Sequence, residues 1–157
     1  MQWKLHRRIG RGATKLKRLA SLDFTHLALK LRSTFPSGAG MPSIRDLVSA
    51  IRQREGVEAA VVLGRDGLLI DSQSAAGLDP EDLAARIPAI IGTADEFGVA
   101  AGRGPLVTAV LEYRDGLAVV AALNTDAVLL VLVRPDANVG QLLFELRRNR
   151  ENIAALV

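Results

Sequence analysis

The chain has 157 residues, of which 49% are hydrophobic and 24% charged, enough to close one ordinary domain with an appendage and too apolar for wholesale disorder. There is no cysteine, and both histidines (His6, His26) and all four lysines (Lys4, Lys15, Lys17, Lys30) precede residue 41. Beyond that point disulfides, imidazole metal sites, Schiff bases and Cys-His or Ser-His nucleophile pairs are excluded.

The net charge of +3 conceals a division. Residues 1–40 hold nine basic side chains against the single acid Asp23, a balance of +8. Residues 41–157 hold eleven arginines against sixteen acids, a balance of −5. Residues 1–40 therefore read as a basic leader, with Lys15 to Arg32 as a loosely amphipathic helix and Ser37-Gly38-Ala39-Gly40 as a linker. Such a leader could touch an anionic surface. The simpler reading is a solvated tail, or upstream sequence read through to a start at Met41. The acidic remainder is not expected to bind nucleic acid. No run approaches the roughly 18 apolar residues of a membrane span, and no apolar signal core opens the chain. A cytoplasmic location is the expectation.

Residues 41–157 read as one domain. Pro42 and Ser43 open a first helix, with Ser43 as N-cap, Asp46 in its first turn, and Ile44, Leu47, Val48 and Ile51 on one stripe that Gly56 closes. Val57 to Gly64 and Leu68 to Gln73 form a hairpin around Arg65-Asp66-Gly67. Asp71 and Gln73 give its second strand the character of an edge. Asp79-Pro80-Glu81-Asp82 starts a middle helix running to about Phe97 and ending at Gly98. Leu83, Ile87, Ile90, Ile91, Ala94 and Phe97 form its core stripe; small uncharged residues stand opposite, and Pro88 lies inside. Nothing from Ile87 to Ala94 is ionic, unusual for a helix with one face in water.

Three strands follow, roughly Leu106 to Tyr113, Leu117 to Leu123 and Ala127 to Val133. The first pair turns through Arg114-Asp115-Gly116, where a primed turn of the same chemistry as Arg65-Asp66-Gly67 is expected. The last two strands carry no ion and must be covered on both faces. Asn138 and Gln141 begin a final helix with Val139, Leu142, Leu143, Leu146 and Ile153 inside and Arg147, Arg148, Arg150 and Glu151 outside. The fold class is α+β, in the order α-β-β-α-β-β-β-α. Edge character and hairpin adjacency predict a five-stranded antiparallel sheet of order 2-1-5-4-3.

The run Gly56-Val57-Glu58-Ala59-Ala60-Val61-Val62-Leu63-Gly64-Arg65-Asp66-Gly67, the long helix closing on Phe97-Gly98 and the three-strand finish resemble the Roadblock family, the dynein-light-chain and bacterial gliding-motility type of regulatory domain. The resemblance spans 41–157. It implies a central helix on one sheet face and the terminal helices on the other. It also implies a homodimer in which the middle helices pack together and the third strands join, and a Ras-like small GTPase as partner or a scaffolding role. The middle helix would present Ala85, Ala89, Gly92, Thr93 and Glu96 to the second copy, and the third strand Thr108 and Glu112.

No reaction centre is expected. Asp66, Asp71, Asp115 and Asp126 lie in or beside turns, where aspartates serve as local hydrogen bonders. Gly102-Arg103-Gly104 has neither the spacing nor the lysine of a phosphate loop. The domain reads as a non-enzyme without cofactor or metal. Arg65, Arg86 and Arg103 are the candidate contacts to a GTPase. A small-ligand sensor domain and a purely structural homodimeric scaffold are the alternatives; the first would need a polar-lined cavity.

Overall fold

A computed structural model describes residues 43–157; the basic leader expected over 1–40 lies outside the described residues. Helix α1 (Ile44–Arg52) starts on a reciprocal cap. The Asp46 amide donates to Ser43 Oγ, while Asp46 Oδ2 accepts from the Ser43 amide at 2.8 Å. Those Ser43 bonds hold the Asp46 carboxyl below its ordinary value. The chain then runs through β1 (Val57–Gly64), β2 (Leu69–Ser74), α2 (Pro80–Ala100), β3 (Thr108–Tyr113), β4 (Gly116–Ala122), β5 (Ala127–Val133), α3 (Val139–Arg148) and α4 (Arg150–Ala154). The sheet is antiparallel with the order β2-β1-β5-β4-β3, as the edge pattern predicts.

Alternation along the strands divides the core in two. Ala59, Val61 and Leu63 of β1, Ala118 and Val120 of β4, and Val128 and Leu130 of β5 pack against Ala84, Ile87 and Ile91 of α2. The residues between them face the other way, towards the terminal helices. An ion pair ties those helices: Arg54, just beyond α1, holds both carboxylate oxygens of buried Glu145 on α3. Gln141 Nε2 adds a third bond to Glu145 Oε1 at 2.9 Å.

Several boundaries differ from the sequence reading, each for a local reason. Gly98 does not end α2; it is buried inside it, and the Gly104 carbonyl sits where a side chain would be. The helix therefore continues to Ala100, and Gly102 makes the reversal at φ +64°. Phe97, placed on the core stripe by periodicity, is 75% exposed. The two Arg-Asp-Gly turns are not alike. Gly67 takes φ +89° after a turn closed by its amide on Gly64, whereas Tyr113 pairs directly with Gly116 and leaves only Arg114 and Asp115 between the strands. Among the described residues no non-glycine residue has positive φ, so neither turn is the two-residue primed kind. The last helix breaks at Asn149, whose side chain donates to the Glu145 carbonyl and stops α3. Arg150 consequently turns inward, and its Nη2 donates to the Ala122 carbonyl at 2.9 Å. No described helix is long and apolar enough to cross a membrane.

Candidate functional site

The surface that stands out is the outer side of α2 together with the free edge of β3. Asp79 caps α2 by accepting from the Glu81 and Asp82 amides, and Pro80 takes the first helical position, where no amide is needed. Ala84, Ile87, Ile91 and Gly98 are buried, which fixes the rotation of the helix. Ala85, Ala89, Gly92, Thr93 and Glu96 are consequently all exposed. At 100° per residue they share one stripe, and Val99, 72% exposed, extends it. Phe97 flanks it. A Cβ added at Gly92 would meet nothing within 4 Å, so no packing inside the chain requires a glycine there. The Thr93 hydroxyl turns back onto the Ala89 carbonyl at 3.0 Å, leaving its methyl on the stripe.

Among the described residues, strand β3 pairs only with β4. The Ala122 amide donates to the Val107 carbonyl, which sets the phase of the ladder. By the alternation of an antiparallel pair, the backbone groups of Thr108, Val110 and Glu112 point outward from the sheet. Three exposed apolar side chains are spaced along this edge, Val107 at 49% and Tyr113 at 58% on one face and Val110 at 43% on the other. Thr108 and Glu112 share the face of the terminal helices, since Thr108 lies opposite Ala121 and Glu112 opposite Leu117. They therefore stand on the other side of the sheet from the α2 stripe, and the edge backbone connects the two. On the α2 face, Ala109 and Leu111 of β3 are only half-covered.

The three arginines named from sequence are held differently. Arg65 Nη1 donates to Asp95 Oδ2 at 3.2 Å, and its Nε is buried without a partner. Asp95 Oδ1 in turn accepts from the Leu106 amide at 2.6 Å. One carboxylate on α2 thus anchors both the β1–β2 turn and the approach to β3. The Leu106 bond, helped by Arg65 and opposed by burial, holds the Asp95 carboxyl below its ordinary value. Arg86 is engaged one turn back with Asp82 at 2.9 Å, on an exposed face. Arg103 is exposed, with no ion pair among the described residues.

Between the end of the β4–β5 turn and the approach to β3 lies an open notch of about 450 Å³. Pro105, Leu106, Val107 and Ala122 give it apolar walls, and Arg65 and Arg150 supply its charge. The sequence reading missed this feature. Asp95 could have signalled it: it falls four residues after buried Ile91, on the core side of the helix, where a carboxylate needs donors.

Two of the aspartates behave as local hydrogen bonders: Asp66 Oδ1 accepts from the Leu68 amide and Asp126 Oδ2 from the Thr125 hydroxyl. Asp71 lies within β2, where its Oδ1 accepts from the Ser72 amide and its Oδ2 stands 4.0 Å from Arg45 of α1. Among the described residues no three acids or histidines gather in a metal-binding group.

Fold and surface together define an α+β sheet-and-helix domain in which, among the described residues, a helix face of mostly small residues and the edge of β3 are uncovered. The Roadblock/LC7 domain family model matches residues 44–133, more than half of the chain, and the protein belongs to that family. A relative in Methanocaldococcus jannaschii, "Uncharacterized protein MJ1340", is 28% identical over 106 residues, covering 68% of this chain and 92% of its own. The Roadblock/LC7 domain from Streptomyces avermitilis superposes with a TM-score of 0.64 at 24% identity, covering 73% of this chain and 97% of that one. The gliding protein MglB from Thermus thermophilus does so with a TM-score of 0.64 at 16% identity, covering 75% and 92% respectively. These two structures carry the same fold.

Proposed function

We propose that the protein is a homodimeric, non-catalytic module that binds a Ras-like small GTPase as regulator or scaffold. The observation that supports dimerisation most strongly is the exposed α2 stripe of small residues (Ala85, Ala89, Gly92, Thr93) taken together with the unpaired β3 edge. An edge bearing Val107, Val110 and Tyr113 without lysine or proline, and without a cover among the described residues, is a template for another strand. A second copy supplies one that matches. With the two-fold axis at Val110, antiparallel edges place Val110 against Val110 and the Thr108 hydroxyl beside the Glu112 carboxylate. A shift of the axis to Leu111 would set Glu112 against Val110, an apolar neighbour. The half-covered Ala109 and Leu111 would then lie under a seam shared by both copies.

Binding of a GTPase is supported by the Roadblock resemblance and by family membership. The charge of −5 over residues 41–157 suits a basic patch on the partner, an effect mainly on the association rate. A regulator of this build acts by docking against the GTPase switch loops and shifting their population, with preference for the GTP-loaded form. An inserted arginine finger fits less well. Arg65 is committed to Asp95 and Arg86 to Asp82, which leaves Arg103 as the least constrained candidate.

Candidate Ras-like GTPases, loaded with GTP or GDP, should be tested for binding and for single-turnover hydrolysis. Arg65→Ala, Arg86→Ala and Arg103→Ala are each expected to change hydrolysis less than about tenfold, because a true finger is worth about 10³ or more. A thousandfold loss at unchanged affinity would assign that arginine as a finger. Failure to bind any of them would favour the scaffold.

A further inference from the structure

We propose that the notch beside β3 is a socket for Tyr113 of the partner subunit; this rests on the homodimer reading and specifies its register. With the axis at Val110, antiparallel pairing brings the partner subunit's Tyr113 directly opposite Val107 and diagonal to Pro105. Both residues line the notch. The Val107–Tyr113 pair is one without hydrogen bonds, in which Cα atoms approach to about 4.5 Å and side chains touch. Val107 and Tyr113 continue the alternation of Ala109 and Leu111, so both side chains emerge on the α2 side of the sheet.

Socket and plug match in chemistry as well as place. The notch has apolar walls, with Arg65 and Arg150 in its lining. Tyrosine has an apolar ring and a polar tip, and its ring face attracts cations. Asp95 fixes the wall by holding the Leu106 amide and the Arg65 guanidinium together. The wall is therefore formed before the partner arrives. Two-fold symmetry supplies two such contacts per dimer, one at each end of the seam. The arrangement accounts for two solvent-facing residues that otherwise have no packing role, Val107 at 49% and Tyr113 at 58% exposure. Tyr113 is the only tyrosine in the chain.

The absence of cysteine permits a direct test on the full chain. In a Val107→Cys/Tyr113→Cys variant, mild oxidation is expected to give a covalent dimer, and neither single variant should do so. An Ala109→Cys/Tyr113→Cys variant reports the register with the axis at Leu111 and is expected to stay uncrosslinked. Separately, Tyr113→Ala is expected to weaken dimerisation about 30-fold or more, as removal of a buried aromatic anchor does. The exposed position of Tyr113 keeps the monomer folded. A parent that sediments as a dimer while the first pair fails to crosslink, or the second pair crosslinks instead, would overturn the socket and leave the dimer standing. A dimer indifferent to Tyr113→Ala would overturn it too. A parent that stays monomeric at tens of micromolar would overturn the dimer reading itself.

Discussion

Gly92→Arg is expected to convert a dimeric protein into a folded monomer. Small residues at 85, 89, 92 and 93 let two helices approach to about 8 Å, and an arginine at the centre of that contact has no room and no acid beside it except Glu96. Overfilling a close-packed helix contact costs about 1–3 kcal/mol, so dimerisation should weaken by about tenfold to 100-fold. The monomer should not suffer. Position 92 is exposed with open space around it, and replacing an interior helical glycine removes a destabilising residue of about 0.5–1 kcal/mol. Sedimentation equilibrium and thermal unfolding of the same sample separate the two effects. A variant that remains dimeric would move the interface off α2.

Arg54→Ala is expected to have the largest effect on the fold, a loss of about 3–5 kcal/mol measured by denaturant unfolding. Glu145 is 4% exposed, and among the described residues its carboxylate receives, apart from Arg54, only Gln141 Nε2. Removal of the guanidinium strands a charge under α3. Glu145→Ala should cost less, because the remaining Arg54 side chain is 21% exposed and can reach water. Exchange of both residues for apolar ones of similar volume should restore much of the loss. Equal losses for the two single variants would show that packing, not the stranded charge, sets the cost.

These two sites differ in how far the sequence disclosed them. The sheet order was legible because β4 and β5 carry no ions while β2 and β3 do, which separates centre from edge. The open face of α2 was legible for the same reason: Ile87 to Ala94 lacks ions on both sides of the helix. Contacts between distant parts of the chain were not. Arg54 and Glu145 stand 91 residues apart, and neither flank marks them as partners. Arg150 reads as an outward helical residue until the break at Asn149 turns it towards Ala122. Phe97 fits the core periodicity, yet Ala84, Ile87, Ile91 and Gly98 set the buried side of α2, and position 97 falls off it into solvent. Turn geometry was equally hidden, since the same Arg-Asp-Gly tripeptide closes two hairpins of different length. There the flanking register decides the turn, and register is a property of the whole sheet.

Backbone hydrogen exchange along β3 tests the central claim most directly. In a lone subunit the amides of Thr108, Val110 and Glu112 face outward from the sheet and should exchange freely. In a dimer joined at this edge they become the hydrogen-bonded rungs of a ten-stranded sheet. Their protection is expected to rise with protein concentration in step with the sedimenting dimer, and to be lost in Gly92→Arg. Free exchange of these three amides at concentrations where the protein is fully dimeric would contradict the account.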